Sequence, residues 1–275
     1  MNLLGIDFED WYHPELIRKH HNIKNKNPII IGGIDKIIDW LRKNDTYATF
    51  FMVGELLTIK PELLDKILGQ GHEIAFHTMH HTRLDAGGFK EKFQDELKEF
   101  DRLTSGKSKG FRAPTFSLNR NTVWAIDALL ENNYQYDSSV VPAKSKMYGI
   151  EFADTKPYKI SSRSIDKNDP DAKLIEYPLL TTKLLGKKLP AGGGFYLRFL
   201  PLKTTEKAIS SYNKQNVPAT LYIHSWELVP ELMPKVPLPI TDNFITYHNL
   251  KDAPRRMSQI LQKFDFTSFA RYGTA

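Results

Sequence analysis

The chain has 275 residues, 41% of them hydrophobic and 25% charged, a balance that suits a globular protein with a substantial core and excludes a disordered or fibrous one. The formal charge is +6, but its lysines sit in short groups such as Lys24/Lys26 and Lys187/Lys188, interleaved with apolar residues; this is a solvated, mildly basic surface and not a nucleic-acid-binding tail. There is no cysteine, so disulfides, thiolate metal sites and a cysteine nucleophile are excluded, and a metal has only histidine and carboxylate ligands available.

The N-terminus begins Met1-Asn2-Leu3-Leu4 and shows no basic region, long apolar run or cleavage site. No apolar stretch approaches the roughly 18 residues of a transmembrane helix. The expectation is a cytoplasmic protein without a membrane span. Leu3 to Phe8 reads as a short buried strand ending in acids. Ile34, Ile37, Ile38 and Leu41 fall at helical spacing. Thr46 to Val53 is β-branched and aromatic, a strand. Leu63, Leu64, Ile67 and Leu68 repeat the helical pattern, with Gly71 as cap. His72 to Phe76 is a strand that runs into a histidine cluster. Phe89, Phe93, Leu97 and Phe100 mark another helix, and Asn119 to Asn132 a further one. Residues 142–190 are less periodic and rich in Lys, Ser and Pro, which predicts hairpins or loops over a barrel mouth. Gly192-Gly193-Gly194 is a flexible or close-approach segment. Thr204 to Asn213 is helical, Ala219 to Ile223 is a strand ending at His224, and Leu250 to Phe264 is a final amphipathic helix. Strands alternating with helices predict a mainly parallel α/β architecture. Polar groups recur just after strands, where an α/β barrel places its catalytic residues.

Four clusters carry chemistry. Asp7, Glu9 and Asp10 close the first strand; alternation puts Asp7 and Glu9 on one face, and Asp10 opens the next loop. His77 and His81 are four apart, which on a helical turn sets both rings on one side to bind one divalent metal. Thr78 stands where the zincin pattern has Glu. Arg112-Ala113-Pro114 follows a further strand, and His224 ends a late one beside Trp226.

In this order the clusters, IDFED, HTMHH, FRAP and LYIHSWEL, together with ATFFMVGELL and GHEIAFHTMHH, resemble the polysaccharide deacetylases of the NodB-homology type, the fourth carbohydrate-esterase family. YDSSVVP, EYPLL, GGGFYLR and HSWEL resemble a subgroup linked to exopolysaccharide synthesis. The resemblance implies a distorted (β/α) barrel with extra hairpins or loops in the middle. It suits a single catalytic domain over 1–275, with a core of about 3–227 and a C-terminal helical extension, 228–275.

The implied activity is metal-dependent hydrolysis of the N-acetyl group of an amino sugar in a polysaccharide or glycan precursor. The alternatives are a ring-opening amidohydrolase on a small cyclic amide, as in allantoinase-like relatives, and a non-catalytic carbohydrate-binding barrel. The implied cofactor is one divalent metal, zinc first, with Co, Ni, Fe or Mn compatible. The ligands are His77, His81 and Asp10, or Glu9 if the acids are spaced as in allantoinase-like relatives; Asp7 and Glu9 compete as general base. Arg112 would hold the base, His224 would protonate the leaving amine, and the backbone N–H of Thr115 would help stabilise the oxyanion. Pro114 and Thr115 would border the substrate, with Trp11 and Trp226 stacking on sugar rings. Two departures stand out: Tyr222 replaces a leucine of the acetate pocket, and the family's fourth motif, which carries an Asp and a Trp, has no copy.

Overall fold

The computed structural model describes residues 1–21, 26–145, 147–184 and 186–274; Lys24 of the first lysine group lies outside them. Its strands, in chain order, are β1 (Asn2–Phe8), β2 (Thr49–Met52), β3 (Glu73–Phe76), β4 (Gly110–Phe111), β5 (Tyr136–Asp137), β6 (Tyr158–Ile160), β7 (Leu174–Glu176), β8 (Thr181–Leu184), β9 (Lys187–Pro190), β10 (Thr220–His224) and β11 (Phe266–Thr267). β1 is buried at every position, and a strand covered on both faces belongs inside a parallel sheet. It pairs in parallel with β10 on one side and β2 on the other. Parallel pairing continues through β3, β4, β5 and β7, and β6 runs antiparallel on the edge.

The helices between these strands follow the apolar spacing. Ile34–Lys43 buries Ile34, Ile37, Ile38 and Leu41, and Lys90–Thr104 buries Phe93, Leu97 and Phe100. Phe93 and Phe100 pack on Phe76 of β3. The period of two along β1 sorts its side chains between two interiors. Leu4, Ile6 and Phe8 face the helices, while Leu3 packs with Phe51, Ala75, Tyr136 and Phe269 inside the curl of the sheet. Asp7 is on the Leu3 side by the same alternation.

The sheet curls until its ends meet. Just beyond β7, Leu179 bridges Thr220 of β10, and the Leu180 N–H donates to the Thr220 carbonyl at 3.0 Å. The result is the distorted (β/α) barrel. The predicted hairpin in the middle is β8–β9. The C-terminal segment is more than a helical extension: β11 pairs in parallel with β1 at Asn2 and Leu3. Phe269 then enters the barrel, stacked on Tyr136 at 5.2 Å. No helix among the described residues is long and apolar enough to cross a membrane.

Gly192 to Gly194 is a close-approach segment. The Gly192 carbonyl accepts the Tyr222 N–H at 2.7 Å, and Gly193 bridges Tyr222. Gly193 has φ +152°, and a Cβ there would lie 1.8 Å from the Tyr222 carbonyl oxygen. Gly193→Ala should therefore cost at least ~2 kcal/mol of stability, read from the urea midpoint. Gly69→Ala, at a helical position where an added Cβ meets nothing within 4 Å, is the control and should leave stability unchanged or raise it by up to about 1 kcal/mol.

Candidate active site

The strand ends bring the acids and His224 together. Asp7 lies beside His224 in the β1–β10 register. Glu9 continues past the strand and is fixed by Ser225: the Glu9 N–H donates to Ser225 Oγ at 3.0 Å, and that hydroxyl donates to the Glu9 carbonyl at 2.5 Å. Asp10, the expected ligand, turns elsewhere. Oδ1 accepts the N–H of Trp11 and Ile29, and Oδ2 those of Ile30 and Ile31, at 2.8–3.2 Å. It thus anchors the short helical turn Ile30–Gly33, whose first N–H groups lack intrahelical acceptors, and the carboxylate beside the histidines is Glu9.

His77 and His81 converge, but not on a helix. The loop after β3 carries left-handed residues at Thr78 (φ 59°) and His81 (φ 53°). The Thr78 hydroxyl accepts the Thr82 N–H, and Arg18 donates to the carbonyls of His80 and His81. The His77 and His81 ring centroids are 5.0 Å apart. His77 Nδ1 lies 2.7 Å from the Arg112 carbonyl, which can only accept, so Nδ1 carries the proton and Nε2 is left as the free donor atom. Burial pushes the His77 pKa down to about 4, against the pull of Asp7, which keeps the ring neutral.

One ligand atom from each of Glu9, His77 and His81 lies within 4.8 Å of the others. Glu9 Oε2 is 2.8 Å from His81 Nε2. Yet this buried oxygen has no hydrogen-bond partner among the described residues, and neither has His81 Nδ1. A buried carboxylate oxygen left unsatisfied opposite two imidazoles is costly on its own. It is the donor set a divalent cation completes.

Arg112, fully buried, joins the two halves of this arrangement. Nη1 donates to Asp7 Oδ1 at 2.6 Å, Nε to the Ser138 carbonyl and Nη2 to Ser138 Oγ, both at 2.9 Å. The guanidinium lies 3.9 Å from the Phe51 ring centroid. Gly5 makes room for it, since a Cβ there would sit 2.7 Å from Nη1.

On the other side, His224 Nδ1 is 2.7 Å from Glu227 Oε2, and its backbone N–H donates to the same oxygen at 3.0 Å. Glu227 Oε1 accepts from Arg198 Nε at 2.6 Å. Burial alone would depress the His224 pKa, but the Glu227 carboxylate outweighs it and raises it to about 9. Glu227 itself is held at about 2, where His224 and Arg198 overcome the opposite effect of burial. Trp226 stacks on His224 at 4.6 Å and donates Nε1–H to Glu9 Oε1 at 2.8 Å.

These groups border a pocket of about 320 Å³. Asp7, Glu9, His77, His81 and His224 form its polar end, and Thr115, in a left-handed conformation (φ 52°), borders it next to Phe116. Trp226 reaches the pocket with its ring covered by His224, so its contact is to Glu9 and not an open sugar platform. Trp11 and Pro114 are absent from the pocket wall; the Trp11 indole N–H donates to the Asn27 carbonyl instead.

Glu227, Arg198, Ser225 and Thr246 complete the site without having been singled out from sequence. Glu227 alone left a signal: His224 and Glu227 form a capping box at the turn after β10.

Barrel and site together define the NodB-type architecture. Residues 32–135 match the polysaccharide deacetylase family, and over this segment the chain is similar to polysaccharide deacetylases of the NodB type. Residues 138–273 match a domain of unknown function, DUF3473. The chain is 44% identical over 72 residues to the peptidoglycan-N-acetylglucosamine deacetylase of Bacillus cereus, 26% of this chain and 31% of that protein. It is 38% identical over 56 residues to a chitooligosaccharide deacetylase of Sinorhizobium fredii, 20% of this chain and 26% of that one. The matches thus span only about a third or less of these relatives' lengths. A Mycobacterium smegmatis protein classed with the polysaccharide deacetylases superposes with TM-score 0.58 at 14% identity, covering 99% of this chain and 89% of that one. An allantoinase superposes at TM-score 0.53 and 13% identity, covering 97% and 86%. At such identities the likeness is one of fold.

Asp10→Ala should destabilise the protein by about 2–4 kcal/mol, because four backbone N–H groups lose their acceptor. Asp10→Asn, which keeps one acceptor oxygen, should fall between it and the parent in urea unfolding.

Proposed function

We propose that the chain is a carbohydrate de-N-acetylase that hydrolyses the N-acetyl amide of an amino sugar in a glycan or glycan precursor, with a divalent metal held by Glu9, His77 and His81. The observation that carries the reading is the buried, unsatisfied Glu9 Oε2 set against two imidazoles. A divalent ion bound there supplies Lewis-acid polarisation of the acyl oxygen and acidifies a water molecule. Histidine and carboxylate donors suit zinc first and also admit Co, Ni, Fe or Mn.

The remaining chemistry belongs to the chain. Asp7 has one oxygen fixed by Arg112, which sets the orientation of the carboxylate as it takes the proton from water as general base. His224 has Nδ1 committed to Glu227; its Nε2 faces the Glu9 side of the site, 3.9 Å from Oε1, and protonates the leaving amine. Its raised pKa keeps it an imidazolium at neutral pH. The Thr115 turn borders the place where the acyl oxygen gains charge, and its backbone N–H is the donor for that oxyanion. Asp7 and His224 lie on neighbouring strands, so proton removal and proton delivery occur side by side.

Acetate release from N-acetylated chito-oligosaccharides is the direct assay, with ring opening of allantoin as the control. Acetate release that a chelator abolishes and metal restores is expected; ring opening without acetate release would sink the reading. Glu9→Gln, His77→Ala and His81→Ala should each lose most bound metal by elemental analysis, while Asp10→Asn should retain it.

Asp7→Asn should lower kcat by about 10²–10⁴. His224→Ala should cost a similar factor on the amide but far less on an aryl acetate, whose leaving group needs no proton. Glu227→Gln should show the same amide-against-ester split with a smaller amplitude. Equal losses on both substrates would remove the acid role from His224.

A further inference from the structure

The pocket does not end at the catalytic groups. Phe195, on the helix Gly194–Phe199, and Ile245, on the helix Ile240–Tyr247, form part of its wall. From Phe195 an apolar strip runs out onto the surface. Phe195 and Phe199, one helical turn apart, stack at 5.1 Å and 18°. Phe244 meets them edge-on at 5.9 and 6.3 Å, and His248 closes against Phe244 at 4.5 Å. Ile240 lies one turn before Phe244 on the same helix. Phe199 is 52% exposed, Phe244 44% and Ile240 91%. Large apolar side chains left this open in one contiguous group mark a binding surface.

The position and chemistry of the strip select its occupant. It is continuous with the catalytic pocket, so what lies on it is attached to what reacts. A sugar needs hydroxyl partners beside the aromatic faces, yet Phe195, Phe199, Phe244 and Ile240 carry none, and the polar edge of His248 is already paired with the Asn249 amide, 3.0 Å from Nε2. Asp242, on the same helix, is taken up by Lys19 and His20. Five side chains are also too few for a stable contact with a second copy of the chain, which takes about 20–30 residues a side. The pocket wall itself offers a hydroxyl for the sugar: Thr246 Oγ1 is buried and has no partner among the described residues.

We infer that the substrate is an amphiphile, an N-acetylated amino sugar joined to a hydrocarbon chain, with the sugar in the pocket and the chain along Phe195, Phe199, Phe244 and Ile240. The sugar end rests on the deacetylase reading; the strip stands on its own geometry.

The probes are dodecyl and methyl N-acetyl-β-D-glucosaminide, given to the metal-loaded protein. Each methylene buried is worth roughly a four-fold gain in affinity, so kcat/KM should favour the dodecyl glycoside by on the order of ten-fold or more, through KM. The double variant Phe199→Ser/Phe244→Ser, changed only at exposed positions, should bring that ratio close to one. A ratio near one in the parent overturns the proposal, and so does a variant that loses both substrates equally. Calorimetric binding of the dodecyl glycoside needs no turnover. If neither glycoside releases acetate, the deacetylase reading fails, while dodecyl binding that the double variant weakens on the order of ten-fold still upholds the strip. Absence of that binding, or binding to phosphatidylcholine vesicles with no preference for the glycoside, overturns it.

Discussion

A guanidinium buried inside the barrel organises the rest. Arg112 is held by Ser138 beyond β5 and reaches across the interior to Asp7 on β1. Its own carbonyl fixes the proton position on His77. One residue therefore sets the orientation of the candidate base and the tautomer of a candidate ligand. A cation so deep needs both a counter-charge and filled hydrogen bonds, and Asp7 and Ser138 provide them. Gly5 is a consequence of the same demand, because any side chain at that position of β1 would occupy the space of the guanidinium.

The site is assembled from pieces far apart in the chain. The acids come from β1 and the residues just past its end, the histidines and Arg112 from the region matching the deacetylase family, and His224, Glu227 and Arg198 from the region matching the domain of unknown function. Arg198 also donates to the carbonyls of Ile245 and His248. The ion pair that steadies His224 is thereby tied to the helix that walls the pocket, so the pocket wall and His224 share one support.

Local pattern made much of this legible. β1 reads as an apolar run, its alternation puts Asp7 and Glu9 on one side, and the helical spacings place the layers correctly. His77 and His81 converge as their separation suggests, but through a left-handed loop, since nothing in HTMHH distinguishes a helical turn from a bend. Asp10 was the harder case. Three acids crowd one strand end, and only the N–H groups of Ile29, Ile30 and Ile31, brought back by the fold, take Asp10 out of the cluster. Glu227 and Arg198 stayed hidden for the same reason: each has meaning only beside a partner that packing supplies. Trp11 and Trp226 follow the acid and histidine motifs closely enough to suggest sugar platforms, yet the first bonds to a loop carbonyl and the second is covered by an imidazole.

The barrel has a seam. β1 and β10 share a register of five residue pairs, whereas the other edge of β10 meets only the bridges at Leu179 and Gly193. The strand that ends in His224 is thus zipped to the acid-bearing strand along its whole length and pinned on its other side at two single residues, one of them a glycine that no side chain could replace without striking the Tyr222 carbonyl.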